Sequence, residues 1–301
     1  MKYVVTGGAG FIGSRIVREL VNEGNSVTVI DNLHTGRIQN LQDVYDKVEF
    51  VKADIRNYAE MERNIKDVDG IFHEAALTLV QESFTKQNEY NEVNVIGTEN
   101  IFKIAQEKNI KVVFASSSSV YGDVIKIPIS ESFPKNPINP YGITKLKDEK
   151  LAEKYSKMNL DVIGLRYFNV YGIGQTGSYA GVITKFVTRL KEKKYLQING
   201  DGKQIRDFIF VDDIARSNIT AMKSKINEGF FNIGTGIGTT INHLAETLIE
   251  ISGEDVTTVH SEELEGDIKF SQADTTLTEK VLGWKSQMQL IDGLRKIYPD
   301  F

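Results

Sequence analysis

The sequence contains no cysteine. Disulfides, thiolate metal sites and cysteine nucleophiles are therefore excluded, and the lack fits a reducing compartment. Proline is scarce: five residues, four of them crowded between Pro128 and Pro140. That cluster predicts an extended loop ending where Pro140 opens a helix. The four histidines are scattered, which leaves no cluster of metal-ligating side chains, and no metal is expected. No apolar run approaches the ~20 residues of a membrane span, and no leader peptide is expected. No membrane partner is expected, and the expected location is cytoplasmic. The formal net charge is −5. The densest basic patch, Lys191, Lys193 and Lys194, reads as a solvated helix end, so nucleic acid is not an expected partner.

What is present is enough chain, 301 residues, for a large core and about two domains. Apolar strands alternate with amphipathic helices through the first half, predicting a doubly wound parallel sheet. Strands are expected at 3–6, 26–31, 48–53, 70–73, 111–116 and 161–167, with helices at 87–108 and 141–158 among those between them. After Gly172 the elements shorten and glycine becomes more frequent, as in the turn Gly200-Asp201-Gly202.

Residues 2–14 organise the rest. A β-branched run ends at Thr6 and gives way to Gly7-Gly8-Ala9-Gly10-Phe11-Ile12-Gly13, then to an amphipathic segment. Glycines there permit a tight turn and a close approach of backbone to pyrophosphate, at a helix N-terminus that favours anions. Asp31 closes the next strand about twenty residues on, where a carboxylate can bond both adenosine ribose hydroxyls and repel a 2′-phosphate. The expected fold is a Rossmann-type α/β domain over residues 1–170, with NAD rather than NADP as cofactor. Residues 171–301 are expected to form mainly a smaller α/β substrate-binding region, interleaved with the first. Asp54 and Ile55, after the third strand, either flank the adenine or form a plain turn.

Tyr141 and Lys145 stand four residues apart at the start of a predicted helix, so their side chains share a face. Tyrosine ordinarily titrates near ~10 and needs a neighbouring cation to act as a base at neutral pH. A lysine one turn away and the positive nicotinamide ring would both favour the phenolate, which can take a proton from a sugar hydroxyl. Upstream, Ser116, Ser117, Ser118 and Ser119 leave the carboxyl end of a buried strand, where open α/β sheets bind ligands. They can hold a reacting oxygen, or serve only as a polar strand exit.

These stretches together resemble the extended short-chain dehydrogenase/reductase family, in its nucleotide-sugar epimerase branch. The resemblance runs over essentially the whole chain. It rests on the glycine turn, Asp31-Asn32-Leu33, His73-Glu74-Ala75-Ala76, Asn94-Val95-Ile96-Gly97-Thr98, the serine run and Pro140-Tyr141-Gly142-Ile143-Thr144-Lys145. It continues through Leu165-Arg166-Tyr167-Phe168-Asn169, Arg206-Asp207-Phe208, Phe231-Asn232-Ile233-Gly234 and Leu282-Gly283-Trp284. The resemblance implies that Tyr141 is the catalytic acid and base, that Lys145 holds the nicotinamide ribose and tunes Tyr141, and that Ser117 is the catalytic hydroxyl. It implies cofactor contacts at Gly7, Gly10, Phe11, Ile12, Gly13, Asp31, Asn32, Asp54, Ile55 and Ala75. Ser118 falls beside the substrate, and Asn169 and Arg206 fall on the nucleotide diphosphate. A homodimer built from helices 87–108 and 141–158 is implied in the same way.

Within the family, dehydratases carry Asp-Glu after the catalytic hydroxyl and decarboxylases usually a glutamate; here the two residues are Ser118 and Ser119. Without those acids the expected cycle is the simplest one: C4 oxidation, rotation of the ketone and hydride return. The run 177–183 resembles the branch that takes UDP-N-acetylhexosamines as well as plain hexoses, and the family's gate residue falls on Ser271, which leaves room for an N-acetyl group. The expected substrate is a UDP-glucose-type nucleotide sugar, N-acetylated forms included. One departure stands out: Leu264 occupies the position of a family arginine that grips the diphosphate, a contact worth ~1.5–3 kcal/mol. Lys269 could compensate, or the nucleotide could differ. An epimerase of a uronic acid or at another carbon, a reductase, and a non-catalytic dinucleotide-binding regulator remain the alternatives.

Overall fold

The structure, a computed structural model, describes residues 1–175, 181–264 and 266–299. Seven parallel strands form its central sheet: β1 (Lys2–Thr6), β2 (Ser26–Asp31), β3 (Val48–Lys52), β4 (Gly70–His73), β5 (Lys111–Ser117), β6 (Val162–Tyr167) and β7 (Glu228–Ile233). Their order is β7-β6-β5-β4-β1-β2-β3. The chain leaves β1 to build one half of the sheet and returns to β4 to build the other. The switch point between β1 and β4 opens a crevice at the strands' carboxyl ends. Helices cover both faces, so strands such as β4 and β6 are buried along their whole length.

Two apolar cores follow from this sandwich. On one face, helices α1 (Gly13–Asn22) and, from the second half of the chain, Val211–Lys223 pack Ile16, Val17, Leu20, Ile214 and Ile219 against Val5, Val29 and Leu165. On the other, α2 (Tyr58–Asn64), α3 (Gly97–Lys108) and α4 (Pro140–Ser156) bring Met61, Ile101, Phe102, Ala105 and Tyr155 onto Val4, Ile71 and Phe114. Each such aliphatic side chain contributes ~1.5–3 kcal/mol by leaving water. A third core, including Phe186, Leu190, Ile198, Leu244 and Leu248, gathers the short elements after residue 171.

The sequence expectations differ from the structure in instructive places. Strand β7 was absent from the expected set; its partner β6 lies more than sixty residues upstream, and its EGF start carries little apolar signal. The expected helix over 87–108 is three pieces, with a π-helical turn at Asn91–Ile96 between Gln87–Tyr90 and α3. Of the run 177–183, residues 177–180 lie outside the described residues. No helix among the described residues is long and apolar enough to cross a membrane.

A buried histidine registers how tightly β4 is held. Both ring nitrogens of His73 are bonded, Nδ1 with Thr6 Oγ1 at 2.7 Å and Nε2 with Thr98 Oγ1 at 2.9 Å. Burial, aided by Lys145, pushes its pKa down to about 3 from 6.5. As pH falls, the unfolded chain therefore takes the proton first, and stability is lost below the unfolded pKa. Urea denaturation should show the protein losing roughly 2–3 kcal/mol more between about pH 7 and about pH 4 than a His73→Gln variant. Equal losses would contradict this.

Candidate active site

The crevice at the switch point is a cavity of about 700 Å³. The turn after β1 forms its floor. Gly7 has φ +66°, and a Cβ there would lie 2.7 Å from the Ala75 nitrogen; a Cβ at Gly13 would collide with the Gly7 carbonyl oxygen. The turn thus lets three stretches of backbone meet where only glycine fits. The start of α1 has no side-chain cap at Ile12, and Ile12 and Gly13 border the cavity, so the positive end of the helix dipole faces it. Asp31 sits at its far side, 7% exposed, its oxygens accepting the N–H of Ala9 at 3.0 Å and of Leu33 at 2.8 Å. Burial raises its pKa and these bonds oppose the shift. A glycine cradle, an uncapped helix and a carboxylate in that order fit a dinucleotide.

Hydroxyls and the lysine singled out in the sequence border the cavity too. Ser117, Tyr141 and Lys145 border the same cavity as Gly7, Gly10, Phe11, Ile12, Gly13, Asp31, Asn32, Ile55 and Ala75. Asn139 caps α4 by accepting the Gly142 N–H at 2.8 Å, with Pro140 as the first helical residue, which fixes where Tyr141 points. Asn94, from the π-helical turn, exchanges bonds with both backbone groups of Leu77 at 2.8 and 2.9 Å and donates to Thr144 Oγ1 at 3.0 Å. It ties the loop after β4 to α4. Asp54 does not border the cavity; it holds Asn32 at 3.0 Å and Arg56 in an ion pair at 2.8 Å, and Arg56 keeps its carboxyl well below the ordinary range.

Lys145 is 4% exposed and donates to the Ala115 carbonyl at 3.1 Å and to Asp148 Oδ2 at 3.2 Å. Burial opposes its charge, but Asp148, Tyr141 and Glu74 together hold it above its ordinary pKa. Burial pushes Asp148 itself up to about 7. Behind the serines, Ser116 Oγ donates to Glu149 at 2.6 Å, and Glu149 takes both forks of the buried Arg166 at 2.8 Å. Arg166 in turn reaches the Tyr121 hydroxyl at 2.8 Å. This desolvated network braces the end of β5; removing one partner of such a pair costs ~3–5 kcal/mol.

A second cavity, about 840 Å³, lies under the later elements. Asn169 borders it, while its neighbour Val170 borders the first cavity, so the two open from one strand, Asn169–Tyr171. Arg206 lines it and donates to Asp267 Oδ1 at 2.6 Å. The adjacent Asp207 accepts bonds from Thr235, Gly236 and Ala273, which pins that strand in place. Leu264 lines this cavity and Lys269 does not; its other cations are Lys185 and Arg189, one turn apart on Val182–Lys191. Ser271 pairs with Arg206 across a short parallel ladder, and neither it nor Ser118 borders either cavity. Glu74 and Asp148 were not expected at the site, because single acids carry no signal of burial.

Residues 3–234 match the model of the NAD dependent epimerase/dehydratase family, and the chain belongs to that family of NAD-dependent nucleotide-sugar enzymes. A putative UDP-glucose 4-epimerase of Methanocaldococcus jannaschii is 38% identical over 299 residues, 98% of this chain and 96% of that one. The crystal structure of UDP-glucose 4-epimerase with UDP-glucose from Thermotoga maritima superposes with a TM-score of 0.95 at 36% identity, covering 100% and 99% of the two chains. UDP-N-acetylglucosamine 4-epimerase from Methanobrevibacter ruminantium, in complex with UDP-N-acetylmuramic acid, gives 0.94 at 36% identity over 99% and 97%.

The cradle supplies a test of cofactor binding. A Gly7→Ala variant must adopt a left-handed φ against Ala75, a strain of roughly 1–3 kcal/mol. It should purify with markedly less NAD, measured after acid release, and melt earlier; undiminished NAD content would contradict the assigned cradle.

Proposed function

We propose that the protein is a UDP-hexose 4-epimerase that interconverts UDP-glucose and UDP-galactose and also accepts their N-acetylated forms. One observation carries the reading: Ser117, Tyr141 and Lys145 border the same cavity as the glycine cradle and Asp31, and no carboxylate follows Ser117. NAD held by the glycine cradle and Asp31 would supply a reversible hydride acceptor for the sugar's C4.

The protein's own groups do the rest. Tyr141 takes the C4 hydroxyl proton as the hydride leaves and gives it back after the ketone has turned. The Lys145 ammonium, held charged by Asp148, presents its positive charge to the cavity that Tyr141 borders. Ser117 holds the reacting oxygen by a hydrogen bond. Arg206 and Asn169 grip the diphosphate in the neighbouring cavity, and Lys185 and Arg189 add positive charge there in the absence of an arginine at 264. An anchored diphosphate with a free sugar lets either face of C4 meet the hydride. Dehydration or decarboxylation would need acid groups that Ser118 and Ser119 do not provide. The N-acetylated substrates rest on the similarity to the N-acetylglucosamine enzyme; Ser271, which borders neither cavity, adds nothing to that reading.

Purified protein given UDP-glucose, UDP-galactose or their N-acetylated forms, without added cofactor, should interconvert each pair with no net reduction. A strict need for NADPH, or no turnover of any UDP-sugar, would refute the assignment. Tyr141→Phe should retain NAD and lose kcat by at least about a hundredfold; full activity would remove Tyr141 as the acid and base.

A further inference from the structure

Asp148 follows Lys145 by one turn of α4, the helix that packs against β5 and α3. Its side chain is fully buried, and Oδ2 accepts the Lys145 ammonium at 3.2 Å. Oδ1 has no hydrogen-bond partner. The neighbouring Glu149 differs, for its oxygens take the Ser116 hydroxyl and both forks of Arg166. A buried carboxylate with an unpartnered oxygen weakens a fold, and a buried ion pair stabilises it poorly. Stability alone therefore gives no reason for an acid at this position. Asp148 borders neither cavity, so whatever it does there passes through Lys145.

The Lys145 ammonium is placed by its bonds to the Ala115 carbonyl on β5 and to Asp148, and its last proton is left for the cavity. Asp148 is the only carboxylate it bonds among the described residues. Other groups act on it from further off: Tyr141 when ionised, and Glu74, whose Oε1 is occupied by the Tyr167 hydroxyl. His73 is neutral. The charged groups beside Asp148 are Glu149, turned to Arg166, and Lys147, turned to Asn91. As the hydride leaves C4 and the hydroxyl proton passes to Tyr141, the phenolate and the positive nicotinamide ring are neutralised together. The charge of Lys145 is not part of that exchange. At the ketone stage it stands buried with no phenolate beside it.

We propose that Asp148 is a positioning residue of the reaction, the standing counter-ion that keeps Lys145 charged and in place whether Tyr141 is a phenolate or a phenol. The inference rests on the epimerase reading above. With Asp148 ionised, its pair with Lys145 is neutral throughout, and each stage of the cycle is balanced without a proton entering or leaving the cleft. Without it, at alkaline pH, Lys145 gives its proton to solvent once Tyr141 is protonated. The return step must then form a phenolate beside a neutral amine, which slows hydride return more than hydride removal. Burial pushes Asp148 up to about 7 against the pull of Lys145, so the counter-ion is charged on the alkaline side of that value.

The direct test is the titration of Lys145 itself, followed by NMR of protein isotopically labelled at lysine Cε, with the signal identified by its absence in Lys145→Met. Removing a negative charge lowers the pKa of the groups around it. Wild-type Lys145 should keep its proton beyond the ordinary lysine value of ~10.4. Asp148→Asn should bring its titration down by at least about one pH unit, tenfold in the protonation equilibrium. In kcat against pH with UDP-glucose, the alkaline decline of Asp148→Asn should begin lower by a similar margin. More of its cofactor should stand reduced during turnover, read by absorbance. A merely structural role would lower kcat at every pH and leave the decline where it was. Asp148→Ala, which suits a helix, should show the same shifts and covers a failure of the asparagine variant to fold. Lys145 titrating alike in wild type and variants, or an unmoved alkaline decline, would overturn the role of Asp148. No turnover of any UDP-sugar by the wild type would overturn the epimerase reading, while the Lys145 titration still decides whether Asp148 is its counter-ion.

Discussion

Everything at the cleft depends on how closely the backbone after β1 approaches the backbone after β4. Gly7 takes a left-handed turn against Ala75, and Gly13 starts α1 against the Gly7 carbonyl. With side chains at those points the helix would stand off the sheet, and its uncapped N-terminus would no longer face the crevice. The strand order then distributes chemistry along the opening. Asp31 ends β2 on one side, and Ser117 ends β5 on the other. A dinucleotide laid across the switch point has its ribose and its reactive ring assigned by topology before any side chain is considered.

Burial of charge is the second theme. Lys145 with Asp148, Arg166 with Glu149, and Glu74 with Tyr167 all sit within reach of the reactive end. Such groups stabilise a fold poorly, because desolvation consumes most of what their attraction returns. They fix positions instead: Lys145 between Ala115 and Asp148, the serine turn upon Glu149, and Glu74 across the strand ends. The buried acids near Lys145 also make the local field sensitive to any charge that enters the cleft.

Much of this was legible in the sequence, for physical reasons. The β-branched runs, the glycine turn, Asp31 and the one-turn spacing of Tyr141 and Lys145 are local patterns, and local patterns dictate local structure. What was hidden depends on contacts far apart in sequence. β7 joins the sheet only through β6, Glu74 becomes special only when Tyr167 and Lys145 surround it, and Asp148 looks like an ordinary helix-surface acid until burial gives it a lysine partner. The π-helical turn that aims Asn94 at Leu77 and Thr144 interrupts a segment that reads as one continuous helix. Asp54 was legible as a turn acid after β3, but its bonds to Asn32 and Arg56 were not.

The central claim is that one hydride leaves C4 and returns to the same carbon without escaping the cleft. Its most direct test is UDP-glucose carrying deuterium at C4, incubated with the protein in ordinary water without added cofactor. The account predicts UDP-galactose that keeps the deuterium at C4, read by mass spectrometry and NMR. Epimer formed with the label lost to water would contradict it.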